Sequence, residues 1–156
     1  MAFKTNVMRI LDQAKINYKS YTYEATEAIS GVEVASVLNQ NPKQVFKTLV
    51  TTTGKNTFYV FMIPVEEELD LKKAAYAVNE KSIEMLKSKD LLNLTGYVHG
   101  GCSPIGMKKT FVTTIDESAL NFDSIIFSAG KIGYQVQLTL DDLNRVISFK
   151  LTSITK

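Results

Sequence analysis

The chain predicts an α/β fold of the mixed α+β kind: a single domain over residues 1–156 with a curved, mainly antiparallel mixed sheet packed by helices. Three observations carry that expectation. Apolar residues recur at helical spacing near the N-terminus, and two β-branched and aromatic runs flank a short glycine loop. Beyond them helix-like and strand-like segments alternate, with more strand than helix. The hairpin argues against a purely parallel doubly wound sheet, so a curled or barrel-like sheet is expected.

Val7, Ile10, Leu11 and Ala14 fall at i, i+3, i+4 and i+7 and form one stripe of an amphipathic helix over about residues 4 to 16. Tyr18 to Tyr23 reads as a strand by aromatic content. Ser30 followed three residues later by Glu33 matches a capping box, in which each side chain satisfies a free N–H of the other's backbone, and opens a short helix to about Leu38. Asn41-Pro42 stops it, because proline disfavours the helical conformation of the residue before it.

Gln44 to Thr53 and Thr57 to Ile63, joined by Gly54-Lys55-Asn56, read as an antiparallel hairpin. Asp70 caps a helix through Val78 on the stripe Leu71, Ala74, Ala75, Val78; a short strand near Ser82 to Met85 and a second short helix from Ser88 follow. Thr110 to Ile115, Asp123 to Phe127 and Ile132 to Leu138 read as strands, and Thr139 heads a last helix to about Val146 before a closing strand. Six of the eight glycines lie between Gly96 and Gly133, which concentrates backbone freedom in two loops, GYVHGGCSPIG and SAGKIG.

Composition excludes several classes of function. Cys102 is the only cysteine and His99 the only histidine, so neither an internal disulfide nor a Cys/His metal cluster can form; no cofactor is expected, and a reducing cytoplasm is the natural compartment. The longest apolar run, Phe58 to Val65, is far short of the ~18 residues of a membrane span, and the N-terminus lacks the apolar core of a signal peptide. Net charge is +2, and each half holds nine basic and eight acidic side chains. That balance makes no case for DNA, and with Arg9 and Arg145 the only arginines any RNA contact rests mainly on lysines. No GxSxG, Walker A or GxGxxG element occurs.

Four places carry chemical interest. His99 and Cys102 invite a thiol–imidazole reading, but a spacing of three in a flexible loop does not aim one at the other, and a small thiol filling a packing gap is the plainer account. Glu66-Glu67-Glu68 reads as a solvated turn ahead of the Asp70 cap. Lys47 breaks the pattern of the apolar strand QVFKTLV, where period two places it beside Val45 and Leu49. It is either a lysine snorkelling to solvent or an ammonium opening into a cleft, where it could hold a phosphate or polarise an ester carbonyl. The loops around Gly100 to Gly106 and Ser128 to Lys131 fit an anion nest and a tight connection equally well.

Taken in order, FKTL around Lys47, LKKAA from Leu71, GGCSPIGMKK from Gly100 and SAGKIG from Ser128 resemble the YbaK/EbsC family of Cys-tRNA(Pro) deacylases, over nearly the whole chain. The resemblance implies a relative of the editing domain of prolyl-tRNA synthetases. Lys47 matches the family's essential lysine, with Thr48 beside it; Tyr23, Gly101, Ser128 and Gly130 match residues that line the substrate cleft. Also implied are the acceptor end of an aminoacyl-tRNA as partner and prolyl-tRNA synthetase as the candidate second one, with no membrane or DNA partner. The implied mechanism uses no protein nucleophile, because the substrate's own cysteine thiol attacks its ester. Cys102 stands where the family commonly has isoleucine, while Ala129 and Ile132 replace a glycine and an arginine of the usual pattern. The alternatives are a deacylase for alanine or another small amino acid, with water attacking, and a non-catalytic module that binds tRNA or a synthetase.

Overall fold

The computed structural model describes residues 3–24 and 30–156. Helix α1 (Asn6–Gln13) starts where the Thr5 hydroxyl accepts from the Met8 N–H. It leads into β1 (Lys19–Thr22). The capping box forms as expected, with Ser30 Oγ accepting from Glu33 N–H and the Glu33 carboxylate from Ser30 N–H, and α2 spans Gly31–Val37. The hairpin follows as β2 (Phe46–Thr52) and β3 (Phe58–Pro64), paired antiparallel. Asp70 caps α3 (Leu71–Ala77); then come β4 (Glu84–Met85) and α4 (Ser88–Thr95).

The second half supplies β5 (Val112–Asp116), a 3₁₀ turn over Glu117–Asn121, β6 (Ile125–Ser128) and β7 (Tyr134–Leu138). It ends with α5 (Leu140–Leu143), capped by Thr139, and β8 (Lys150–Thr152). The 3₁₀ turn is not among the expected elements, although its signal is local: the Asp116 carboxylate accepts from Ser118 N–H, as an Asx turn does.

The strands form two groups. One is antiparallel, in the order β1-β7-β6; the other is mixed, in the order β4-β2-β3-β5-β8, with β3–β5 and β5–β8 parallel. An isolated parallel bridge between Val45 and Ile126 joins them, and Ile126 N–H donates to Gln44 O at 3.1 Å. The sheet surface therefore runs on from one group into the other.

Period two divides the apolar residues of these strands among three clusters. Phe46 and Val50 of β2 and Val60 and Met62 of β3 point to the main core, where they meet Val7 and Leu11 of α1, Ile125 and Phe127 of β6, and Val136 and Leu138 of β7. On the opposite face Phe61 and Ile63 pack under Ala74 and Ala75 of α3. Val45, Val65 and Ile126 pack with Ala35 of α2 and with Tyr21.

Candidate functional site

The positions that matter follow from strand register. Val45 and Ile126 face each other across the parallel bridge; two residues further along each strand stand Lys47 and Ser128, on the same face of the sheet as Val45 and Ile126. Ser128 pairs with Gln135, Gln135 with Tyr21, and Lys47 with Ile63. Tyr21, Gln135 and Ser128 thus form one row across β1, β7 and β6, and Lys47 and Ile63 continue the same face on β2 and β3. Tyr23 lies two residues beyond Tyr21 on that face, its N–H donating to Gly133 O at 3.0 Å. Helix α2 closes one side of this face through Ala35, and Gln40, just past the helix, donates its amide to Gln135 Oε1 at 2.8 Å.

Lys47 is half-buried, and its Nζ donates a long 3.4 Å hydrogen bond to Val65 O. Burial pushes its pKa below the ordinary 10.5, because water no longer fully solvates the ammonium; the carboxylates of Glu68 and Glu67 pull the other way. The acidic run thus forms a turn, as its sequence implies, but its field reaches the lysine. Glu68 also pairs with Lys156 at 3.2 Å.

The two glycines expected in the site act through the backbone. Gly130 has φ +92°, a left-handed conformation that disfavours other residues, and a Cβ there would stand 2.9 Å from the Tyr97 ring and 3.0 Å from Val7. Its N–H donates to Ser128 Oγ at 3.2 Å, which fixes the hydroxyl at the end of β6. A Cβ on Gly101 would stand 3.1 Å from the Ile132 nitrogen, so this glycine lets one loop lie against the other. Residues Gly101 to Ile105 are buried and the Gly101 N–H is spent on Val98 O, so this stretch reads as a tight connection rather than an open nest. Tyr97 pins it by donating its hydroxyl to Ile105 O; burial pushes that phenol up to about 12.

Thr48 departs from the expected grouping. It follows Lys47 directly, so its side chain lies on the other face with Phe46 and Val50, and its Oγ1 is buried with no hydrogen-bond partner. Cys102 is buried and its thiol is pushed up to about 12 by burial, whereas His99 is exposed. That thiol is a packing group. Among the described residues no three His, Cys, Asp or Glu side chains converge as metal ligands, and no helix is long and apolar enough to cross a membrane.

Sequence reasoning alone misses Gln135, Gln137, Gln40 and Tyr21. The Tyr21 hydroxyl donates to Gln137 Oε1, and the Gln137 amide donates to Ser124 Oγ at 2.7 Å. A signal exists in YQVQL, where Gln135 and Gln137 alternate with the core residues Val136 and Leu138. Gln40 and Tyr21 offer no comparable pattern, since both enter through tertiary pairing. Two surface clefts, of about 340 and 330 Å³, are not lined by Lys47: one is bordered by Met107, Phe111 and Arg145, the other by Phe3, Arg9 and Lys131.

Comparison with known proteins bears on this arrangement. A protein of Enterococcus faecalis (strain ATCC 700802 / V583), whose name gives it as a Cys-tRNA(Pro)/Cys-tRNA(Cys) deacylase, EbsC, is 44% identical over 153 residues, 97% of this chain and 93% of the relative. A proline–tRNA ligase of Syntrophus aciditrophicus (strain SB) is 28% identical over 105 residues, 67% of this chain but only 18% of that much longer protein. Among solved structures, one described as a trans-editing enzyme for prolyl-tRNA synthetase superposes with a TM-score of 0.84 at 19% identity, covering 99% of both chains. The fold is therefore shared with that protein. Residues 26–146, which hold Lys47, Gly101, Ser128, Gly130 and Gln135, match the model of the aminoacyl-tRNA editing domain. With that match over most of its length and a relative of 44% identity along nearly all of it, the chain belongs to the aminoacyl-tRNA editing domain family.

Proposed function

We propose that this chain is a deacylase that acts in trans in the cytoplasm to clear cysteine wrongly attached to tRNA(Pro). The observation that carries the reading is the sheet face of Tyr21, Gln135, Ser128 and Lys47, which a half-buried cation and a hydroxyl share without an activated nucleophile beside them. Ser128 Oγ is held by a backbone N–H, and the Cys102 thiol is buried and protonated. The substrate then supplies the nucleophile. Its cysteine sulfur bonds to the ester carbonyl carbon, the ribose oxygen leaves with the thiol proton, and a cyclic thiolactone departs from the freed tRNA.

Lys47 steadies the negative charge that grows on the carbonyl oxygen, while Tyr23, Ser128 and the loop held by Gly101 and Gly130 shape the space around the ester. Positioning does much of the work: a well-aligned intramolecular attack can supply ~7–11 kcal/mol. The name of the 44% identical relative supports cysteine as the amino acid. The likeness to a segment of a proline–tRNA ligase supports prolyl-tRNA synthetase as a partner.

The test is release of radiolabelled amino acid from Cys-tRNA(Pro), Ala-tRNA(Pro) and Pro-tRNA(Pro). Release confined to the cysteine ester is expected. Cleavage of the alanine ester at a similar rate would mean that water attacks, and no release from any ester would leave a binding module.

A further inference from the structure

We propose that the cleft bordered by Phe3, Arg9 and Lys131 holds the single-stranded 3′ nucleotides that precede the aminoacylated one, an inference that rests on the deacylase reading. The cleft measures about 330 Å³ and is walled by α1 and the chain before it on one side and by Gly130 and Lys131 on the other. Its cations are not equivalent. Lys4 is paired with Asp12, whereas Arg9 and Lys131 form no ion pair among the described residues. Both are exposed, and Lys131 Nζ stands 4.6 Å from the centre of the Phe3 ring. Phe3 packs against Tyr134 at 5.0 Å yet remains 52% exposed.

Two cations outside any ion pair among the described residues, beside a half-exposed ring, are the chemistry of single-stranded nucleic acid, with phosphates on the cations and a base against the exposed part of the ring. An acidic peptide would use the cations and leave the ring idle.

Position fixes which part of the RNA this would be. Gly130 lines the cleft, and its N–H donates to the hydroxyl of Ser128, which shares the sheet face of Lys47 in the proposed ester site. Two residues of chain span at most ~7 Å, about one nucleotide step, so the Gly130 wall of the cleft lies within reach of the nucleotide that precedes an RNA end seated at Ser128, once the strand turns past Gly130 toward α1. This also reconciles a net charge of only +2 with an RNA substrate, because the contact concentrates on two cations rather than on a basic face.

The experiment uses Arg9→Ala and Phe3→Ala, both exposed positions, with three readouts: binding of a short RNA ending in CCA, deacylation of Cys-tRNA(Pro), and cleavage of 3′-O-cysteinyl adenosine, which lacks the preceding nucleotides. Each substitution should weaken RNA binding and raise KM for the tRNA by about tenfold, the scale of losing one stacked base or phosphate contact, and leave the adenosine ester unaffected. Arg9→Ala should also flatten the dependence of log affinity on log salt by about 0.7, the slope contributed by one phosphate of a single strand. RNA binding unchanged in both variants, no binding by the wild type, or equal effects on the tRNA and the adenosine ester would each overturn the inference. Should the wild type cleave neither ester while RNA binding still depends on Arg9 and Phe3, the cleft assignment stands and the deacylase reading falls.

Discussion

The two faces of β2 meet different surroundings although their side chains alternate along a single strand. Phe46, Thr48 and Val50 point to the main core, where Phe46 is 2% exposed and surrounded by apolar side chains of α1, β3, β6 and β7. Val45, Lys47 and Leu49 point the other way, and around Lys47 the sheet carries Ser128, Gln135, Gln137 and Tyr21 instead. The first face is apolar along its length but for Thr48; the second is apolar under α3 and against Ala35 of α2, and between those clusters it carries side-chain amides and hydroxyls that bond across strands. A site can be built on the second without loosening the first, because the ladder that fixes Lys47 in place is anchored by the core beneath it.

That division can be broken from the core side first. Phe46→Ala should cost about 3–5 kcal/mol of stability, the usual loss for a large buried aromatic, read by chemical denaturation. Once allowance is made for the unfolded fraction, the surviving molecules should retain their rate per folded site. Tyr97→Phe comes next: it leaves Ile105 O without its buried donor, and about 1–3 kcal/mol should be lost in the same measurement.

Thr48→Val is the smallest and sharpest. Replacing a buried hydroxyl that has no partner by a methyl should leave stability unchanged or raise it by about 1 kcal/mol, with the deacylation rate intact. A rate loss would return Thr48 to the substrate site, where its place beside Lys47 in the family motif puts it.

Much of this is legible in the sequence because it is set by local chemistry. The capping box at Ser30, the Asp70 cap, the Gly54 hairpin loop and the Thr139 helix start all depend on neighbours a few residues apart, and each appears where the sequence puts it. Several element ends draw in by one to three residues where a hydrogen-bond ladder runs out, as α1 does at Gln13, while β3, β5 and β6 each run one residue further than expected at their C-terminal ends. The parallel pairings β3–β5 and β5–β8, and the Val45–Ile126 bridge that brings Lys47 and Ser128 onto one face, join segments far apart in the chain, which no local pattern specifies. Lys47 is visible as a charge on an apolar strand; the side chains around it are not. Thr48 shows the limit of motif adjacency, since neighbours along a strand look in opposite directions.

Lys47 ties the comparison to pH. Burial lowers its pKa in the folded chain, so at pH values below that pKa its proton is held at a cost to stability, and the cost disappears as pH rises from the folded value towards 10.5. The same shift means that a rate dependent on the ammonium should begin to fall on the alkaline side before an ordinary lysine would lose its proton.

Both consequences meet in one measurement, single-turnover deacylation of Cys-tRNA(Pro) by Lys47→Met, with the thermal midpoint taken on the same preparation at pH 7. A loss of about 10²–10³-fold in rate, the scale of removing one group that stabilises a developing oxyanion, is expected together with a midpoint equal to or above that of the wild type. A rate close to wild type, or a rate loss matched by a lowered midpoint, would contradict the assignment of chemistry to one face of β2 and stability to the other.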